Sequence, residues 1–155
     1  MKSEQASRPA AGLPRPYHFP AFERRKVESG VTLITAPVSK LPVVSIVGLV
    51  DAGATRDPID RDGLAALTAR LLLEGTAQRE GAALADAFEG LGATVDVATG
   101  WDAAVVQMTV LRANAKAALM LLSEVLREPA FRERDVARLK AERQAERMQV
   151  RTEPR

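Results

Sequence analysis

The sequence predicts an α+β fold, an α/β two-layer sandwich with helices packed on a largely antiparallel sheet. Three observations carry that prediction. Residues 31–36, 43–50, 94–98 and 102–111 have strand character, four other segments repeat apolar residues at helical spacing, and the order runs strand, strand, helix, helix, strand, strand, helix, helix. With 155 residues, 46% hydrophobic and 27% charged, the chain is long enough to enclose a core and has the composition of one globular domain.

Residues 1–21 contain Pro9, Pro14, Pro16 and Pro20. Proline lacks the backbone donor a helix needs, so an extended arm is expected there. Glu28-Ser29-Gly30 is a turn signal, after which Val31 to Ala36 reads as a short strand and Val43 to Val50 as a second, more buried one. Asp60-Arg61-Asp62-Gly63 introduces a helix with Leu64, Leu67, Leu71 and Leu72 on one face and Gly75 as its stop. A second helix, from about Glu80 to Gly92, carries Leu84, Ala87, Phe88 and Leu91 on a stripe that should face the sheet.

Thr94 to Ala98 and Asp102 to Leu111 alternate, with Ala104, Val106, Met108 and Val110 on one side of the second strand. Gly100-Trp101 supplies their hairpin connection. Asn114 is the expected cap of a third helix, in which Ala115, Ala118, Leu119, Leu122, Val125 and Leu126 form an apolar stripe closed by Pro129. From Arg132 onward a charged helix follows, with only Val136, Leu139 and Met148 as apolar contacts.

Several chemistries are excluded by counting. There is no cysteine and one histidine, so no disulfide, thiolate or Cys-containing metal site exists, and the chain cannot assemble a usual catalytic zinc set. His18, among Pro16, Tyr17, Phe19 and Pro20, reads as part of an arm packing on the domain. Net charge is only +2, and the eight basic and five acidic residues from Arg132 onward alternate in sign, which fits a solvated helix better than a nucleic-acid track. Gly90, Gly92 and Gly100 follow a helix and do not make a phosphate loop, and Trp101 reads as a packing residue. The opening lacks the apolar run of a secretory signal, and Val43 to Val50 is far short of the roughly 18 residues a membrane span needs. A soluble chain without a membrane span is expected, in the cytoplasm, with the periplasm left open.

GLAALTARLLLEGT, residues 63–76, resembles the active-site helix of the pitrilysin/insulinase zinc metallopeptidases, where Gly-Leu-Ala and Gly-Thr bracket an inverted HxxEH motif. Gly30-Val31-Thr32-Leu33 resembles the family's first strand, and Asp51 to Asp57 its Gly-Ser-Arg-like turn. Leu91-Gly92-Ala93 and the helix around Glu133 to Glu146 also fit. The resemblance spans roughly residues 22–154. It implies a subunit of two related halves, of which this chain supplies most of the first: a Pro-rich arm, 1–21, and a truncated peptidase-like N-terminal domain, 22–155. An unfinished sheet edge would leave the chain alone prone to association.

In active members two His hold zinc, and the Glu beside the second takes a proton from the metal-bound water. The resemblance puts Ala66, Ala69 and Arg70 at those positions. Methyl groups neither ligate nor accept protons, and a guanidinium repels a divalent ion. The family's third ligand, a glutamate, falls within about one position of Glu146, a possible remnant. The implied set is therefore empty: no catalytic residue, no metal ligand, no cofactor. Two arrangements stay open for Arg70, an ion pair with Glu146 in the vacated metal position or a solvated side chain that at most pairs with Glu74.

The resemblance further implies a role. The family includes heterodimers in which one subunit carries HxxEH and a sister lacking it helps enclose peptide. This chain looks like the sister, with zinc expected only in the catalytic partner, and with that HxxEH-bearing subunit and peptide substrates as its partners. The alternatives are a truncated structural scaffold without proteolytic role, or a peptidase acting through a partner's zinc or a nonstandard site.

Overall fold

The computed structural model describes residue 12, residues 16–38 and residues 40–152, and the chain forms two compact units, 1–41 and 42–155. In the first unit Glu23–Lys26 (β1) pairs antiparallel with Thr32–Thr35 (β2), from Glu23 opposite Thr35 to Lys26 opposite Thr32. The turn falls at the predicted Glu28-Ser29-Gly30: Gly30 donates to the Val27 carbonyl at 2.9 Å and takes φ +90°, open to glycine at little cost. Strand β1 was not expected, because Glu-Arg-Arg-Lys carries no apolar alternation and all four residues are exposed. Tyr17, Phe19 and Phe22 meet edge to face at 6.5 and 6.2 Å, with His18 exposed between the first two. Most of the expected arm lies outside the described residues.

The second unit holds a sheet of Val43–Val50 (β3), Thr94–Thr99 (β4) and Ala104–Leu111 (β5), in the order β3-β5-β4 and antiparallel throughout. Its helices are Leu64–Leu71 (α1), continued by a 3-10 turn at Leu72–Glu74, then Gly81–Gly90 (α2), Ala115–Arg127 (α3) and Glu133–Thr152 (α4). Alternation along β5 buries Val106, Met108 and Val110, as the sequence predicted. Against them pack Leu84 and Phe88 of α2, Ala69 of α1, Val97 of β4, and Ala118, Leu121, Leu122 and Val125 of α3. The result is the expected α+β arrangement.

Depth departs from expectation in three places. Strand β3 is more buried than β2, with Val44 and Ile46 against the core, yet it lies at the sheet edge, and Val47 and Leu49 on its outer side are 63% and 74% exposed. On α3 the buried stripe includes Leu121, while the expected Leu119 and Leu126 sit at the rim, 47% and 43% exposed. Asn114 makes no capping bond; its side-chain amide donates to the Leu91 carbonyl at 2.9 Å, tying the start of α3 to the end of α2. That end closes as predicted at Gly92, with φ +62°, where Gly92 and Ala93 donate to the carbonyls of Glu89 and Phe88 in a Schellman pattern.

Candidate functional site

The loop feeding α1 is fixed from both ends. A Cβ at Gly53 would collide with the backbone of Trp101, Asp102 and Ala103, so only glycine allows this approach to the β4–β5 hairpin. Thr55 secures it, its amide and its hydroxyl donating to the Trp101 carbonyl at 2.9 and 3.0 Å. Trp101 itself is 78% exposed, so the packing role expected of its side chain is not realised; its carbonyl makes these contacts. Arg56 donates twice to Asp51, at 3.0 and 2.5 Å, which lowers the Asp51 carboxyl from its ordinary value through hydrogen bonding first and charge second.

Helix α1 begins at Gly63, which has φ +93° and no side chain to cap with. Asp57, six residues upstream of Gly63, does it instead: its two carboxylate oxygens accept from the amides of Gly63 at 2.7 Å and Ala65 at 2.8 Å. Small residues then let α1 approach the sheet. Ala65, Thr68, Ala69 and Leu72 border a cleft of about 440 Å³ over Val97 and Val106, and the Thr99 hydroxyl donates to the Ala65 carbonyl at 3.3 Å. Leu67, expected to share one face with Leu64, Leu71 and Leu72, borders a different groove facing α4, while Leu64 borders both.

Of the residues singled out on α1, Ala69 is buried in the core, Ala66 half-buried and Arg70 exposed. Arg70 Nη1 donates to Glu146 Oε1 at 3.0 Å, the two side chains being 42% and 46% exposed. The alternative partner, Glu74, is engaged elsewhere by Arg138, which also reaches Glu142 at 2.8 Å. Arg70 first, and Arg143 at 3.4 Å after it, hold the Glu146 carboxyl below its usual range. Arg134 pairs with Glu80 at 3.0 Å. The ion pairs 70–146, 74–138 and 80–134 thus run along α4 in the opposite sense to the first half of each pair, a ladder tying it to the α1–α2 segment.

The Gly-Thr pair after α1 is a clamp that sequence reasoning took only as a helix stop. Gly75 has φ +133°, and a Cβ there would lie 2.6 Å from Arg132 Nη1 and 2.7 Å from the Arg79 carbonyl. Thr76 is fully buried; its hydroxyl donates to Glu124 Oε1 at 2.5 Å and accepts from the amides of Gln78 and Arg79. Arg79 pairs with the other oxygen of Glu124, and Arg132 Nη2 donates to the Thr76 and Arg79 carbonyls at 3.0 and 3.3 Å. Nothing in local periodicity reveals a cluster drawn from the loop after α1, from α3 and from the residue just before α4.

Zinc does not suit this centre. Two methyl groups offer no lone pair, and Arg70 already presents a cation to Glu146, the carboxylate a metal would need. Among the described residues no three His, Cys, Asp or Glu side chains come together to hold a metal ion. Among them, also, no helix is long and apolar enough to cross a membrane.

The second unit is thus an antiparallel sheet backed by helices, with a helix of Gly-Leu-Ala to Gly-Thr form packed against it. The profile of the insulinase family, peptidase family M16, matches residues 34–155, and the chain belongs to that family. The family expected from residues 63–76 is thereby borne out. Among solved structures, a peptidase M16 inactive domain from Pseudomonas fluorescens is 30% identical with a TM-score of 0.81, over 86% of this chain and 32% of that one. A protease from Helicobacter pylori shares the fold at a TM-score of 0.71 and 19% identity, over 86% and 31%. Uncharacterized zinc proteases of Rickettsia bellii and Rickettsia felis are 24% and 22% identical over 117 residues, 76% of this chain and 28% of each relative. The chain spans under a third of the length of these relatives.

Proposed function

We propose that this chain is the first part of a noncatalytic member of the insulinase family, a Pro-rich arm (1–21) ahead of an incomplete peptidase-like domain (22–155), which assists an HxxEH-bearing sister subunit in holding peptide substrates. The observation that carries the reading is the Arg70–Glu146 ion pair. By the resemblance of residues 63–76 to the family's zinc-binding helix, Arg70 would take the position of one zinc-binding His, Ala66 and Ala69 those of the other His and the proton-accepting Glu, and Glu146, within about one position, that of the third ligand. An ion pair then replaces a coordination bond. The methyl groups of Ala66 and Ala69 neither lower the pKa of a water nor polarise a carbonyl, and on this reading the chain contributes binding and orientation of an extended peptide. Similarity to the Pseudomonas fluorescens inactive domain supports the same reading.

The test is cleavage of a quenched fluorescent peptide library by the purified chain, alone and co-expressed with an HxxEH homologue from the same genome. Alone it should cleave nothing; with the homologue present, cleavage should appear and vanish with chelator. Chelator-sensitive cleavage by the chain alone overturns the proposal.

A further inference from the structure

We propose that the groove between the loop before α1 and one face of α4 binds an acidic, partly apolar peptide segment in extended form. This deepens the partner reading above by naming a substrate class and its place on the chain.

The groove encloses about 660 Å³, within the ordinary range for ligand sites. Arg61, Leu64 and Leu67 line one wall, and Lys140, Arg143 and Arg147 line the other. Residues 140, 143 and 147 are three and four apart and so share one stripe of α4. Like charges at that spacing cost the helix stability, and an anion lying along the stripe would offset the cost. Elsewhere on α4 several charges are matched: Arg134 with Glu80, Arg138 with Glu74 and Glu142, Glu146 with Arg70. On the stripe they are not. Among the described residues the side chains of Arg61, Lys140 and Arg147 have no ion pair or hydrogen bond, and Arg143 only shares Glu146 at 3.4 Å.

Asp60 and Asp62 border the groove at the loop, so four cations stand against two carboxylates, and the charged residues of the α4 wall, which also holds Val136 and Gln144, are all positive. Leu64 and Leu67 offer apolar contact between these charges. A segment with carboxylates toward α4 and aliphatic side chains toward α1 matches both the sign and the layering of the walls.

The experiment is fluorescence anisotropy on the full chain with a labelled ten-residue peptide, Leu at every third position and Glu elsewhere, and with its Lys-for-Glu counterpart. The Glu peptide should bind, the Lys peptide should not, and affinity should fall steeply as salt rises. Lys140→Glu/Arg147→Glu should weaken binding by about tenfold or more, Lys140→Gln/Arg147→Gln by less, and Arg24→Glu/Arg25→Glu on β1 should change nothing. Equal binding of both peptides, or affinity unmoved by the α4 variants, overturns the proposal. If those variants fail to fold by circular dichroism, salt-insensitive binding to the parent chain overturns it. Binding without any co-purifying sister would keep the groove and remove the partner role; a sister complex with no peptide binding would do the reverse.

Discussion

Arg70 and Glu146 are 76 residues apart in sequence and 3.0 Å apart in space. Arg70 holds the Glu146 carboxyl below its ordinary 4.5, so the pair contributes stability above that value and loses it as pH falls through the lowered one. Arg70→Ala should therefore raise the Glu146 midpoint in an NMR titration of side-chain carboxyls, with the Arg143 contact leaving part of the depression. The identity of this pair was legible only because residues 63–76 resembled a known helix; nothing in α4 marks Glu146 apart from Glu142. Thr76 was not legible at all. Its hydroxyl serves three partners from a fully buried position. Thr76→Ala leaves Glu124 and two amides short of a partner and should cost about 1–3 kcal/mol by urea denaturation, with Thr76→Ser recovering most of it. The same change should raise the Glu124 midpoint, since the Thr76 hydrogen bond is the chief cause of its depression.

Elements were easier to locate than to orient. Period-2 runs gave β4 and β5, and three- and four-residue spacing gave α1, α2 and α3, because those patterns depend only on which side chains meet a core, whereas α4 was read from its charged composition. Which of two apolar rows faces that core is a matter of neighbours: on α1 the small Ala65, Thr68 and Ala69 win the sheet side because they permit close approach, Leu67 is left toward α4, and Leu64 borders both clefts. The start of α1 was legible at Gly63, but its capping carboxylate was not, since Asp57 stands outside the usual local spacing. Asp57→Ala should cost about 0.5–2 kcal/mol and speed amide exchange at Gly63 and Ala65. Gly53→Ala drives a methyl into the Trp101–Ala103 backbone and should cost about 1–3 kcal/mol, read as a lowered Tm.

At the scale of the whole molecule, the order of segments carried the α+β class, but alternation says only that two sides differ and is silent on whether the outer one is covered. Here the outer side of the β3-β5-β4 sheet presents Val43, Val47, Leu49 and Leu111 to solvent, on and beside an edge strand. The isolated chain should associate at micromolar concentration in sedimentation velocity, and Val47→Lys/Leu49→Lys should shift it toward monomer. A sharp monomeric unfolding transition in the parent chain would contradict this.

The ladder of ion pairs along α4 has a consequence for how the domain is maintained in a living cell. Each rung is made of groups the ribosome installs, so the alignment of α4 is complete at birth and owes nothing to nutrient supply. Scarcity of a trace element would leave these rungs intact, since none of the ion pairs includes a metal.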